Sequence, residues 1–302
     1  MYDIVIVGGG PAGLTAAVYG LRAGKTVLVV EKAGFGGQIA YSPKVENIPG
    51  TISISGAEFA EKLVEQAMAL GADVELETVA GIEKQGDAFR ISTEDGASFE
   101  GKTVILALGV KHRMLGLPGE EELIGKGISF CAVCDGAFYE GQHAAMIGGG
   151  NSALQEALLL SEVCSHVTVV QNLADFTGEK KLADALLEKE NVTVYFSTLV
   201  DGYLSDGEEL TGLRLRNDIT GEITEISVDG AFLAVGLMPE NEPFAGFAAL
   251  NDWGYFESGE NCTTNTEGLF VAGDCRSKRI RQVTTAAADG AVAAMAACRY
   301  LG

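Results

Sequence analysis

Cations are scarce in this chain. Its 302 residues include 21 lysines and arginines against 42 aspartates and glutamates, for a formal net charge of −21. A surface of that sign repels a phosphate backbone, which argues against nucleic acid as a partner. Long apolar runs are missing too. A membrane-spanning helix takes about 20 consecutive apolar residues, and no run here approaches that, so no membrane is expected. No charged-then-apolar leader precedes the first strand-like run at Tyr2, and a cytoplasmic location is the default expectation. Histidine occurs only three times, at His112, His143 and His166, without the paired spacing of a zinc site. Of the six cysteines only Cys131 and Cys134 lie close together, so the set does not read as a disulfide framework. Cys164, Cys262, Cys275 and Cys298 read as small buried apolar residues.

What the chain does have is glycine, 40 residues of it, and 47% hydrophobic residues, a composition of soluble globular domains with many tight turns. Two segments resemble each other. YDIVIVGGGPAGLTAAVYGLRAGKTVLVVEK opens the chain, and AAMIGGGNSALQEALLLSEVCSHVTVVQN begins at Ala144. Each reads strand, glycine turn, amphipathic helix, strand. Gly8, Gly10 and Gly13 have G-x-G-x-x-G spacing; Gly148, Gly150 and Ala153 have the permitted G-x-G-x-x-A variant. The first glycine permits the tight turn, the second lets backbone approach a pyrophosphate, and the third small residue lets helix pack on strand. The helix N-terminus then offers free N–H groups to phosphate. Two copies in this context predict an α/β chain with two Rossmann-like dinucleotide-binding domains.

The tip of the second strand decides what each unit binds. An acid there accepts hydrogen bonds from ribose hydroxyls, and Glu31 supplies one in the first copy. Gln171 stands at the same distance in the second. A 2′-phosphate would call for arginines, yet Gln171 to Glu179 contains neither lysine nor arginine, while Asp175 and Glu179 add negative charge.

Between the two nucleotide units lies GISFCAVCDGAFYEG. A C-x-x-C pair is either metal-binding or redox-active. A zinc site needs two more ligands that the sequence does not offer, so no metal is expected and a redox dithiol is favoured. The spacing suits a helix start, where the N-terminal field stabilises a thiolate. Asp135 follows at once; spacing alone leaves open whether it moves a proton or is a turn acid before Gly136.

CAVCDG between two dinucleotide folds resembles the low-molecular-weight thioredoxin reductases, and the similarity runs the length of the chain. FGGQIAYSPKVENIPG resembles the family's isoalloxazine-side loop. TVILALGV resembles its domain-crossing strand, with Leu108 where threonine is usual, and GLFVAGDCRSKRIRQVTTAAADG resembles its C-terminal FAD signature. The resemblance implies a pyridine nucleotide-disulfide oxidoreductase of class II architecture. A discontinuous FAD-binding domain would span residues 1–111 and 238–302, and an inserted NADPH-like domain, 112–237, would carry the dithiol. It implies FAD on Gly8, Gly10, Gly13, Glu31, Gly37, Gln38 and Asn47, with Gly273 and Asp274 near the ribityl or pyrophosphate and Arg281, Gln282 and Val283 near the flavin. It implies that Cys134 takes electrons from the flavin, that Cys131 attacks the disulfide of thioredoxin, and that Asp135 is the acid. Linkers at VKHRMLGLPG and AVGLMPENEP would be hinges, and the chain would form a homodimer. The helix SGAEFAEKLVEQAMALGA is expected to turn Phe59, Leu63 and Met68 toward the core.

One stretch departs from the NADPH-dependent members. They carry an arginine-rich motif after the second strand of the inserted domain, where this chain has QNLADFTGE. That pattern resembles the ferredoxin-dependent flavin thioredoxin reductases, which implies a reduced ferredoxin as electron donor. Arg276, Lys278 and Arg279 are the candidate docking cations for so acidic a partner. The rival readings are a pyridine-nucleotide-dependent reductase with an atypical site, an FAD-dependent dithiol oxidase, and a non-catalytic flavin-binding redox sensor.

Overall fold

The computed structural model describes every residue except 43 and 44. The chain divides into two compact units, the first Met1–Pro43, Ile48–Lys111 and Met238–Gly302, the second Lys44–Asn47 and His112–Leu237. Among the described residues no helix is long and apolar enough to cross a membrane.

In the first unit, β1 (Tyr2–Val7) and β2 (Val27–Glu31) are β-branched runs with almost every residue at least half-buried. Strands covered on both faces read as continuous apolar runs rather than alternation. Between them α1 (Pro11–Arg22) starts with proline in its first turn, where a missing N–H costs no helical bond. Next comes α2 (Gly56–Ala69), capped by the Ser55 hydroxyl, which accepts from the Glu58 amide at 3.1 Å. Its buried face is Ala60 and Ala67 with Phe59 and Leu63 beside them, but Met68 is 52% exposed. The expectation for Met68 is corrected: Phe59, Leu63 and Ala67 follow one stripe at i+4 steps, and Met68 lies one residue past it, about 100° round the helix.

β3 (Asp73–Leu76), β4 (Val79–Gln85), β5 (Ala88–Thr93) and β6 (Ser98–Leu106) complete the strand order β3-β2-β1-β6-β5-β4. β1 pairs in parallel with β2 on one side and β6 on the other. The order therefore reverses at the C-terminal end of β1, the position where open α/β sheets bind ligands.

The chain leaves this unit along β7 (Lys111–His112) and returns along β16 (Leu237–Met238), and these two strands pair. The second unit lies between them in sequence. Here β8 (Ile128–Ser129), β9 (His143–Ile147), β10 (His166–Val170), β11 (Val192–Tyr195) and β15 (Gly230–Leu233) form a parallel sheet of order β11-β10-β9-β15-β8. The single-turn α3 (Ala132–Asp135), then α4 (Asn151–Val163) and α5 (Lys180–Leu187), accompany it. A three-stranded antiparallel sheet is made by β12 (Thr198–Ser205), β13 (Leu210–Asn217) and β14 (Ile223–Ser227). The reversal point now falls at β9, flanked by β10 and β15.

Back in the first unit, β17 (Leu269–Val271) pairs in parallel with β6, and α6 (Val283–Leu301) packs on α1. The two helices meet through small buried residues, Ala12, Ala16, Ala293 and Ala297 among them. Cys164, Cys262, Cys275 and Cys298 are all buried and unpaired, as the composition led one to expect.

Candidate functional site

The first glycine turn is built to leave its backbone bare. Gly8 has φ +109°, and a Cβ there would lie 2.3 Å from Ala107 O. A Cβ on Gly13 would lie 1.9 Å from Gly8 O, so only glycine lets α1 pack against the end of β1. At Gly10, by contrast, nothing comes closer than 3.8 Å to the same position, which leaves the turn open beside the N-terminus of α1. Glu31, at the tip of β2, receives the Gly9 amide at 2.7 Å and the Ala33 amide at 3.0 Å. The loop Phe35–Gln38 folds back on this turn, with the Gly36 amide donating to Gly9 O at 2.8 Å and Gly37 against Gly10.

The C-terminal segment reaches the same place. Gly273 packs against Ala12 at the start of α1, and its amide donates to Asp289 of α6 at 3.2 Å. Asp274 follows, with a buried Oδ1 that has no hydrogen-bond partner among the described residues and a long ion pair of 3.5 Å to Lys278 Nζ. Burial raises the Asp274 pKa against the opposing pull of Lys278 and Arg281. Arg281 donates from Nε to Asp274 O at 3.2 Å and lays its guanidinium over the Tyr255 ring, 4.1 Å from the centroid. Gln282 caps α6 in a reciprocal box with Thr285, and Val283 begins the helix. Thus Gly8, Gly10, Gly13, Glu31 and Gly37 gather round one turn, Gln38 follows in the same loop, and Gly273 comes in against the start of α1, with Asp274, Arg281, Gln282 and Val283 following it in the segment that leads into α6. Asn47 falls in the second unit, with Nδ2 4.0 Å from Cys134 Sγ.

The expected docking cations are corrected. Arg276 and Lys278 turn inward onto Asp289, with contacts of 2.8 Å from Arg276 Nε and Nη2 and 2.9 Å from Lys278 Nζ. Their side chains are only 11% and 8% exposed. A run of basic residues reads as a surface patch in sequence, but its counter-charge sits on α6, and of the three candidates only Arg279 is exposed.

In the second unit Cys131 and Cys134 form a disulfide across α3. The Cys134 amide donates to Cys131 Sγ at 3.2 Å, so a thiolate there would gain a charge-assisted hydrogen bond. Ser129 accepts from the Cys131 amide at 3.2 Å and donates to Asp135 Oδ2 at 2.6 Å. Burial raises the Asp135 pKa, and its buried Oδ1 has no hydrogen-bond partner among the described residues. From α4, Glu156 accepts the Ala132 amide at 2.9 Å. Ser129 and Glu156 escaped the sequence reading. A signal existed for Glu156, a charge on the apolar stripe Ala153, Ala157 and Leu160.

The second glycine turn repeats the backbone of the first. Thr177 and Gly178 donate to Gly149 O at 2.9 and 3.0 Å, as Gly36 does to Gly9. The side chains differ. Gln171 is 3% exposed, donates to Asp175 O at 3.0 Å, and lies so near Gly149 that a Cβ there would come 2.4 Å from its amide carbon. Glu179, the residue before α5, donates from its amide to Oδ1 of Asn151, the first residue of α4, at 2.6 Å. Lys180 is paired with Asp184 at 2.8 Å.

Residues 2–290 match the family described as pyridine nucleotide-disulphide oxidoreductase. A Clostridium pasteurianum protein described as a 34.2 kDa protein in the rubredoxin operon is 40% identical over 99% of this chain and 97% of its own. The thioredoxin reductase of Bacillus subtilis is 36% identical over 100% of this chain and 95% of its own. The crystal structure of thioredoxin reductase from Streptococcus pyogenes superposes with a TM-score of 0.93 at 37% identity, covering 100% of this chain and 98% of that one. FAD is the cofactor of this family, and the first turn fits it. Gly10 is open, Asp274 Oδ1, without a hydrogen bond among the described residues, can accept from a hydroxyl, and Glu31 keeps lone pairs for a ribose. The chain belongs to the pyridine nucleotide-disulphide oxidoreductase family, among the low-molecular-weight thioredoxin reductases.

Proposed function

We propose that this chain is a thioredoxin reductase that takes electrons from a reduced ferredoxin and not from NADPH. The donor half rests on the second glycine turn. Gln171 stands where an acid would grip a ribose, and its amide donates within its own chain. From Gln171 to Glu179 no cation is available for a 2′-phosphate, and Asp175 and Glu179 would repel one. The thioredoxin half is supported by the relatives named above and by the Cys131–Cys134 disulfide.

Gly8, Gly10, Gly13, Glu31, Gly37, Gln38, Gly273, Asp274, Arg281, Gln282 and Val283 would hold FAD, which supplies a carrier able to accept electrons singly and pass them in pairs. Two-electron reduction would open the Cys131–Cys134 bond to one thiolate and one thiol, and Asp135, which follows Cys134 at once, would provide the proton. The Cys131 thiolate, favoured by the Cys134 amide, attacks the thioredoxin disulfide. Cys134 then displaces it, restoring the enzyme disulfide and releasing thioredoxin as a dithiol. Residues 1–111 and 238–302 act as the FAD domain, 112–237 as the dithiol domain, with the paired β7 and β16 as the hinge of a homodimer.

The test is thioredoxin reduction coupled to a ferredoxin-reducing system. Wild type is expected to turn over with ferredoxin and the Cys134→Ser variant to be inactive at unchanged flavin content. Full activity of Cys134→Ser would remove the dithiol step, and activity with NADPH alone would remove the donor assignment. The second reading, a pyridine-nucleotide enzyme, is favoured by the intact backbone of the second turn and is decided by the same assay.

A further inference from the structure

Residues 251–256 fall in none of the motifs read from the sequence, yet they carry the ring on which Arg281 rests. The Arg281 guanidinium lies over the face of Tyr255, 4.1 Å from the ring centroid. A cation there is held by the negative face of the aromatic quadrupole. Its one hydrogen bond among the described residues runs from Nε to Asp274 O at 3.2 Å. A guanidinium has further N–H donors on Nη1 and Nη2. Those stay without a protein acceptor among the described residues, although the group is fixed on one face and at one edge. Arg281 and Tyr255 are both half-buried.

The ring is itself held in place. Asn251 Oδ1 accepts from the Trp253 and Tyr255 amides, both at 3.0 Å, and the Asn251 amide donates to Tyr255 O at 2.9 Å, which closes the turn. Asn241, fully buried, donates from Nδ2 to Gly254 O at 2.9 Å and to Cys275 O at 2.8 Å. The Phe256 amide also donates to Cys275 O, at 3.0 Å, and the Ser277 amide donates to Phe256 O at 2.8 Å. The residues on either side of Tyr255 are therefore tied to the stretch that follows Asp274. An arginine on an unsupported loop gives up its rotamer freedom when it binds a ligand. An arginine already laid on an anchored ring has less to lose.

We infer that Tyr255 is a positioning residue for FAD: its ring face holds the Arg281 guanidinium beforehand, so that the unused Nη donors serve the cofactor at little cost in side-chain ordering. Tyr255 acts through Arg281 and needs no contact with FAD. The inference rests on the proposed reading that Arg281 holds FAD and is independent of the electron donor.

The experiment measures the rate at which FAD leaves the holoprotein, as the rise of free-flavin fluorescence after dilution to nanomolar concentration. Tyr255→Phe keeps the ring face and should release FAD within about twofold of wild type. Tyr255→Leu removes the face and should release it roughly 3- to 30-fold faster. Arg281→Met should release FAD at least as fast as Tyr255→Leu. Beside Arg281→Met there is no cation to hold, and Tyr255→Leu should add less than about twofold. Phenylalanine with progressively more ring fluorines at position 255 weakens the quadrupole with little change of shape, and the logarithm of the release rate should climb with each fluorine. That series decides alone if Tyr255→Leu does not fold. A flat fluorine series would overturn the inference, as would a Tyr255→Leu effect that persists in full beside Arg281→Met, because either result makes Tyr255 a packing residue only. Arg281→Met with the wild-type release rate would remove Arg281 from the proposed FAD residues and the inference with it. With Arg281→Met fast and the Tyr255 series flat, the inference alone falls.

Discussion

The substitution Asp289→Asn keeps the shape of a side chain on which the C-terminal half of the proposed flavin cradle depends, and removes its charge. Asp289 is 7% exposed and accepts from Arg276 through both oxygens, from Lys278 and from the Gly273 amide. Burial works against its ionisation, and the two cations overcome that cost, leaving its pKa below the usual carboxylate value. Without it, Arg276 and Lys278, 11% and 8% exposed, become uncompensated buried charges. Breaking a buried pair on one side costs about 3–5 kcal/mol. For a domain of this size each kcal/mol moves the melting temperature by about 2–4 °C, so a fall of roughly 10 °C in the transition of the first unit is expected. Differential scanning calorimetry measures it, and flavin absorbance should show reduced FAD content, because the loop carrying Asp274 and Arg281 loses its anchor. The exposed pair Lys62–Glu58, at 60% and 52%, is the control, where Lys62→Ala should shift the melt by no more than about 2 °C. Replacing Arg276, Lys278 and Asp289 together by apolar residues should recover much of the loss. An Asp289→Asn protein that melts with wild type and keeps its flavin would refute the reasoning.

His112 stacks on Phe130 with ring centroids 4.5 Å apart, and burial lowers its pKa to about 4. The unfolded chain therefore binds this proton first: stability is fully present above about pH 6.5 and is lost as pH falls toward 4. Up to about 3 kcal/mol is involved, since each pKa unit is worth about 1.4 kcal/mol. Relative to wild type, His112→Leu should gain ground between pH 7.5 and pH 5 in urea titrations; a difference independent of pH would contradict this. Asn172 and Leu173 are exposed just beyond the tip of β10. Replacing both by arginine should raise NADP⁺ affinity at least about tenfold in calorimetric titration, from charge-assisted bonds of roughly 1.5–3 kcal/mol each. No gain would mean that something other than missing cations closes the site.

Both glycine turns were legible because their geometry admits little else: Gly8 and Gly148 have positive φ, and Gly13 touches Gly8 O. The dithiol was legible from spacing, and Gln171 from its place at the end of β10. Fates set by residues distant in sequence were not. Arg276 and Lys278 look like surface cations until α6 brings Asp289 beneath them. Glu156 falls on the apolar stripe of α4, but the amide it would accept from became visible only once α3 was placed against α4. Met68 was misplaced because a single step along a helix turns a side chain about 100° away from the core. Asn47 carries no local sign that its segment belongs with the dithiol unit.

The most direct measurement is anaerobic stopped-flow reduction of the oxidised flavoprotein, mixed in turn with NADPH, NADH and photoreduced ferredoxin while flavin absorbance and Cys131–Cys134 cleavage are followed together. Bleaching and disulfide cleavage are expected with ferredoxin and absent with either nucleotide at millimolar concentration. Rapid bleaching by NADPH or NADH, with ferredoxin inert, would contradict the assignment of the electron donor.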